Sequence, residues 1–210
     1  MAEQYDEREA RKAYVRRRQR TVFTIIGAIL VVALVMSLLV SFGVIKVDQQ
    51  ARAQSEPNYG VAVPCAAKNE DGSAMDWSSN ATVPVEVLNG TDSRGLASAV
   101  SEALKNNQFN VVNVGDFTAK DVKRTTIYFG VNAINPAYTL NQYFTDAIMK
   151  MDDRQDRTVD VVIGASFSDL RSEKDIKKQG SKIVDIEGCK ATADMQKAGL
   201  PKAFTHKEVN

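Results

Sequence analysis

The chain has 210 residues, 44% hydrophobic and 25% charged, with a formal net charge of +1. That balance excludes a disordered chain, a collagen-like repeat and a disulfide-dense miniprotein, and the length leaves no room for a large catalytic barrel beside a second domain. The neutral total hides a split: residues 1–20 hold seven Lys/Arg against four Asp/Glu, and the chain from Lys46 onward holds twenty against twenty-two. The basic excess is therefore local, and no nucleic-acid-binding surface is expected.

Residues 21–45 (TVFTIIGAILVVALVMSLLVSFGVI) carry no charged side chain. As a helix they would reach roughly 37 Å, enough to span a bilayer core of about 30 Å with some tilt. Arg16, Arg17, Arg18 and Arg20 precede this stretch, whereas Lys46 and Arg52 are the only basic residues in 46–65. The positive-inside rule then places residues 1–20 in the cytoplasm, 21–45 in the membrane as a signal anchor, and everything from Lys46 outside. The arginines also suit anionic lipid head groups. Cleavage after Ala51-Arg52-Ala53 is the alternative, disfavoured because a signal-peptide core is only about 7–15 residues long.

Cys65 and Cys189 both fall beyond the span, where a disulfide is chemically allowed. Two thiols in one exported domain usually pair, and the bridge would close a loop containing nearly the whole core; two separate buried thiols are the alternative. Two Cys and the lone His206 cannot supply a four-ligand zinc site at a standard spacing, so no metal or cofactor is expected. Residues 46–81 are polar, with Gln49-Gln50, Ser55-Glu56-Pro57-Asn58 and Ser78-Ser79-Asn80. They read as an extracytoplasmic linker, partly pinned by the disulfide.

The folded core is expected at 82–167. Residues 83–88 (VPVEVL) alternate apolar and polar, with Val83, Val85 and Val87 on one face of a strand that ends at Asn89-Gly90. Leu96, Val100, Ala103 and Leu104 give one buried face to a helix running to about Asn106, with Asn106 or Asn107 as left-handed cap. Strands follow at 109–114 and 125–130. Asn135-Pro136 reads as N-cap and first helical residue of a second helix, continued by Leu140, Phe144, Ala147, Ile148 and Met151 and stopped at Asp152-Asp153. Val159 opens a nearly all-apolar strand over 159–163, which marks it as central. The order is a βαββαβ-like α/β (α+β) sheet domain with helices packed on one face. Residues 168–210 form a C-terminal extension: a short helix over 168–178, a short strand over 183–186, and loose final residues.

The run VEVLNGTDSRGLASAVSEALKNNQFNVVNVGDF, followed by TTIYFG and VDVVIGASF, resembles the LytR C-terminal domain family. The matching positions are Asn89, Gly90, Thr91, Gly95, Leu96 and Ala97. The resemblance covers about 82–167 and implies a location outside the membrane, near the cell wall, as in short actinobacterial-type envelope proteins. Larger relatives carry a LytR-CpsA-Psr domain that transfers wall polymers onto peptidoglycan. Residues 46–81 cannot contain that domain, so its activity is not carried over. What the resemblance implies here is binding of peptidoglycan or of wall-assembly proteins.

The loop from Asn89 to Gly95 joins a strand end to a helix start, where free N–H groups favour an anion and Arg94 adds a cation. Asn89, Gly90, Thr91, Arg94 and Gly95 are therefore candidate ligand residues. Turn formation and helix capping explain all of them except Arg94, and Asp92 competes with an anion for the same N–H groups. Tyr138 and Tyr143 are candidates for stacking sugar rings, against the plainer alternative of core packing. Asp152-Asp153 make a poor acid/base pair, because neighbours at a helix end point apart. No nucleophile turn and no nucleotide-binding glycine pattern is present. The reading is a non-catalytic envelope protein; an enzyme acting on wall precursors and a purely structural interaction module are the alternatives.

Overall fold

The computed structural model describes residues 16, 19–20, 22–32, 34–35, 56–177 and 180–209. The chain divides into two compact units, Met1–Arg52 and Ala53–Asn210. In the first, residues 22–32 are helical, and Phe23, Ile25, Ile26, Ile29, Leu30, Val31 and Val32 are all exposed. Among the described residues no helix is long and apolar enough to cross a membrane. The rest of the expected span, including 36–45, lies outside the described residues, as does the candidate cleavage site at 51–53.

The second unit is built on β1 (Pro84–Asn89), α1 (Leu96–Asn106), β2 (Asn110–Asp116), β3 (Thr126–Phe129), α2 (Ile134–Asn141), β4 (Ile148–Met151), β5 (Val159–Ile163) and α3 (Thr192–Ala198). The five strands form one mixed sheet in the order β2-β1-β5-β3-β4. β1 runs parallel to β2 and β5, while β3 runs antiparallel to β5 and parallel to β4. Pro84 is tolerated in the interior strand β1 because it is the first residue of that strand.

Alternation sorts the sheet into two unlike faces. Val85, Val87, Ile127, Phe129, Met149, Met151, Val159, Val161 and Ile163 share one core with Ala97, Val100 and Leu104 of α1 and Ala137 and Leu140 of α2. The intervening positions carry Glu86, Tyr128, Lys150 and Asp160, which is the pattern of a face that meets water. Both long helices thus cover the apolar face.

The second helix differs from the sequence reading. It begins at Ile134, carries Pro136 in its first turn and stops at Asn141, and 148–151 is strand β4. Over so few residues the two periodicities coincide: Ala147, Ile148 and Met151 fit a helical stripe, yet Met149 and Met151 point inward from β4 while Ile148 and Lys150 are half-buried. Asn135 does not cap the helix. Its Oδ1 accepts from Ala67 N–H (2.8 Å) and its Nδ2 donates to Ala67 O (3.2 Å), tying down the preceding segment. The left-handed residue after α1 is Gln108 (φ 65°), while Asn107 donates through Nδ2 to Ala103 O.

The described part of the expected linker, from Glu56 on, is built into the domain. Asn58 clamps the outer edge of β4, accepting from Met149 N–H (2.7 Å) and donating to Met149 O (2.8 Å). Cys65 and Cys189 form a disulfide, flanked by a parallel bridge between Pro64 and Lys190. The extension is likewise more ordered than its composition implies. Of the expected helix over 168–178, the described residues 168–177 form only the 3-10 turn Glu173–Asp175, no strand forms at 183–186, and α3 lies where no helix was expected. The final residues are not loose: 201–209 cross the polar face of the sheet, held by hydrogen bonds from Ala203, Lys207 and Val209 N–H.

Candidate functional site

The loop after β1 is a closed hydrogen-bonded turn. Asn89 Oδ1 accepts from Thr91 N–H (3.0 Å) and Thr91 Oγ1 (2.9 Å), and Asn89 Nδ2 donates to Ser93 O (2.9 Å). Thr91 Oγ1 in turn accepts from Ser93 N–H. Gly90 and Gly164 sit side by side at the ends of β1 and β5, with Gly90 N–H donating to Ile163 O. A Cβ on Gly90 would meet Val122 at 2.7 Å, and one on Gly164 would meet the Arg124 backbone at 2.4 Å. The β2–β3 connection therefore fills the crevice where the strand order reverses, a place where open α/β sheets commonly take ligands.

Gly95 precedes α1 in the left-handed conformation (φ 77°), and no side chain caps the helix. This corrects the expectation that helix capping accounts for part of the loop: the Asn89 and Thr91 side chains are committed to the turn and are not free to cap. Arg94 is exposed and makes no hydrogen bond or ion pair among the described residues. Lys120 reaches the same loop, donating to Asn89 O (3.2 Å) and pairing with Asp116 (2.6 Å).

Tyr138 and Tyr143 offer no stacking platform. Tyr138 is 3% exposed, and its hydroxyl donates to Pro64 O (2.9 Å); burial pushes that hydroxyl up to about 12. Tyr143 is 7% exposed, packs edge-on against Phe109, and accepts through its hydroxyl from Asn80 Nδ2 (2.6 Å). Tyr143→Phe leaves the Asn80 amide one acceptor short and is expected to lower unfolding stability by about 1–2 kcal/mol. Urea unfolding checks this, and an unchanged midpoint contradicts it.

The largest polar constellation was not expected from the sequence. Arg154, 4% exposed, donates through Nε and Nη2 to the two oxygens of Asp152 (2.8 Å each) and through Nη1 to Asp160 Oδ2 (2.6 Å). Glu86, 3% exposed, accepts from Asn113 Nδ2 and from Lys207 N–H (2.8 Å). At the far end His206 bonds Phe204 O through Nδ1 (2.8 Å) and Asp156 Oδ2 through Nε2 (2.9 Å). Both partners are acceptors, so the cationic imidazole satisfies both contacts while the neutral ring can donate to only one of them. These groups hold one another; none presents a free acid or base to a cleft.

One guanidinium facing two buried carboxylates leaves the cluster short of positive charge. Burial pushes Asp160 up to about 7 against the pull of Arg154, with Glu86 adding to the rise. Its Oδ1 has no partner. Burial opposes the charge on His206, but the hydrogen bonds to Phe204 O and Asp156 outweigh it and hold the ring above its ordinary value. Both groups bind protons more tightly folded than unfolded, so their contribution is present at low pH and fades as pH rises through their folded values. Asp156 is depressed: burial opposes this, but bonds from His206 and Thr158 win. Its contribution fades only below the ordinary carboxylate range. The thermal midpoint is therefore expected to be higher at pH 5 than at pH 8, and Asp160→Asn to flatten the difference. A midpoint that rises with pH across this window contradicts the assignment.

Residues 82–167 match the family model described as LytR cell envelope-related transcriptional attenuator. The match is confined to this stretch. It contains all five strands and both α1 and α2, while the Cys65–Cys189 disulfide, α3 and the 201–209 segment lie outside it. Among solved structures the chain is similar to the soluble domain of a secreted protein from Mycobacterium marinum, an Rv2700 ortholog, at 20% identity and a TM-score of 0.42, over 52% of this chain and 82% of that one. No curated protein matches the chain.

Proposed function

We propose that this chain is a non-catalytic single-pass envelope protein whose LytR_C domain lies outside the cytoplasm and binds or scaffolds cell-wall material or wall-assembly proteins. The observation that carries the reading is the match of 82–167 to a family described as cell envelope-related. Two features support it. The helical residues 22–32 are apolar around their whole circumference, which suits lipid better than water. The domain also closes on a disulfide, a bond that persists in oxidising compartments.

Wall polymers are rich in carboxylates and phosphates, and Arg94 beside the uncapped start of α1 is the cation left available to them at the Asn89–Gly95 loop. Co-sedimentation of the full chain in detergent micelles with isolated peptidoglycan tests this. Saturable binding that weakens several-fold in Arg94→Ala is the expected result. Absence of binding by folded chain contradicts the wall-binding reading. A protein partner is the second reading, favoured by one observation: β2 is an edge strand with no strand paired beyond it among the described residues, whereas the edge at β4 is clamped by Asn58.

A further inference from the structure

The polar face of the sheet is buried by one short segment. Glu86, Arg154 and Asp160 are each at most 4% exposed, yet they occupy the strand positions and the turn that would face water if residues 201–209 were absent. The segment is held by hydrogen bonds along its length, from Asp153 N–H to Pro201 O, from Thr158 Oγ1 to Lys207 O, from Arg157 N–H to Val209 O and from the Ala203, Lys207 and Val209 amides to the sheet side, and by one aromatic insertion. Phe204 inserts its ring between Phe117 (5.1 Å) and Tyr128 (5.2 Å), with the Arg154 guanidinium 5.4 Å from its centre. His206 pairs with Asp156, and Lys207 N–H donates to Glu86. It is not a strand of the sheet, and it leaves α3 through Gly199, at positive φ, and Pro201.

Two properties distinguish this contact from core packing. The surface underneath carries charged groups beside the Phe117 and Tyr128 rings, so lifting the segment exposes these to water and leaves the core between sheet and helices closed; Asp160 Oδ1, buried without a partner, gains solvation when it opens. The charges are also complementary: Glu86, Asp152, Asp156 and Asp160 outnumber Arg154 and Lys150 on the face, and the segment brings Lys202, His206 and Lys207 against Glu208.

We propose that this face is a peptide-binding groove for extended, cationic segments that place an aromatic ring two residues before an imidazolium or other cation, and that the chain's own C-terminus occupies it in cis. The proposal is independent of the wall-binding reading. A tethered occupant acts at an effective concentration of about millimolar, so a partner peptide enters only when the tail is displaced or weakened.

The test uses full chain in detergent and a fluorescent peptide of residues 199–210. Phe204→Ala/His206→Ala chain is expected to bind the peptide saturably and at least about tenfold more tightly than wild type does. The same peptide with Phe204 and His206 replaced by Ala should not bind. A folded double variant that fails to bind, or binds a scrambled peptide equally, overturns the proposal. Should the double variant not fold, hydrogen exchange of wild type decides: Ala203, Lys207 and Val209 amides exchanging well before those of β1 and β5 support a releasable tail, and exchange of all of them only on global unfolding overturns it.

Discussion

Arg154→Ala is expected to lower the unfolding free energy by about 3–5 kcal/mol, because it strands two carboxylates where water does not reach. Asp152 and Asp160 are 2% and 0% exposed, and the guanidinium supplies three of their hydrogen bonds. The loss spreads, since the same guanidinium underlies the Phe204 ring and the Arg154 backbone packs against Gly130, where a Cβ would meet Arg154 O at 2.0 Å. Neutralising the acids separates charge from shape: Arg154→Met with Asp152→Asn and Asp160→Asn is expected to recover part of the loss, as neutral substitutes for buried ion pairs commonly do. Urea unfolding followed by Trp77, the sole tryptophan, measures both. A loss below about 1 kcal/mol in Arg154→Ala would show that the cluster is solvated and its ion pairs worth no more than surface ones.

Cys65→Ala/Cys189→Ala is expected to cost about as much. The bridge joins residues 124 apart and encloses every strand of the sheet. Chain entropy assigns a loop of this length about 5 kcal/mol as an upper figure. The local structure adds a reason for the effect to be felt in two places. The bridge fixes the pre-sheet segment, whose Asn58 closes the β4 edge, and fixes the chain just before α3, from which the C-terminal segment departs. The double variant should show a lower urea midpoint than oxidised wild type, and exchange of the Met149 amide should accelerate. Equal midpoints for the variant and oxidised wild type would remove the bridge from the stability account.

The strands were legible wherever one pattern ruled out its rival. Val83, Val85 and Val87 alternate and run into the turn residues Asn89-Gly90, and 159–163 is too apolar and too short to be anything but an inner strand. The helix at Leu96 announced itself by its apolar stripe. The stretch from Ala147 to Met151 reads as helix because five residues satisfy both a helical and an extended period, and only the pairing of Ile148 with Thr126 in the parallel β3–β4 ladder resolves them. Asp160 carried a signal that alternation alone did not convey: a carboxylate in the middle of an all-apolar strand needs a buried partner. That partner, Arg154, lies in a polar run that reads as a surface turn, and Phe204 and His206 lie in a terminus whose composition reads as loose. The tyrosines Tyr138 and Tyr143 were misplaced for the opposite reason. Each hydroxyl finds a partner in the 56–82 segment, Pro64 or Asn80, so polar tips that look suited to the surface are satisfied inside.

The side of the membrane on which the domain lies is the premise of the whole functional account, and the disulfide gives a direct way to read it. Intact cells producing the full chain are treated with a membrane-impermeant maleimide, with and without prior membrane-impermeant phosphine reductant. The account predicts labelling of Cys65 and Cys189 only after reduction and without permeabilising the cells. Labelling that requires permeabilisation would place the domain in the cytoplasm and contradict the envelope reading.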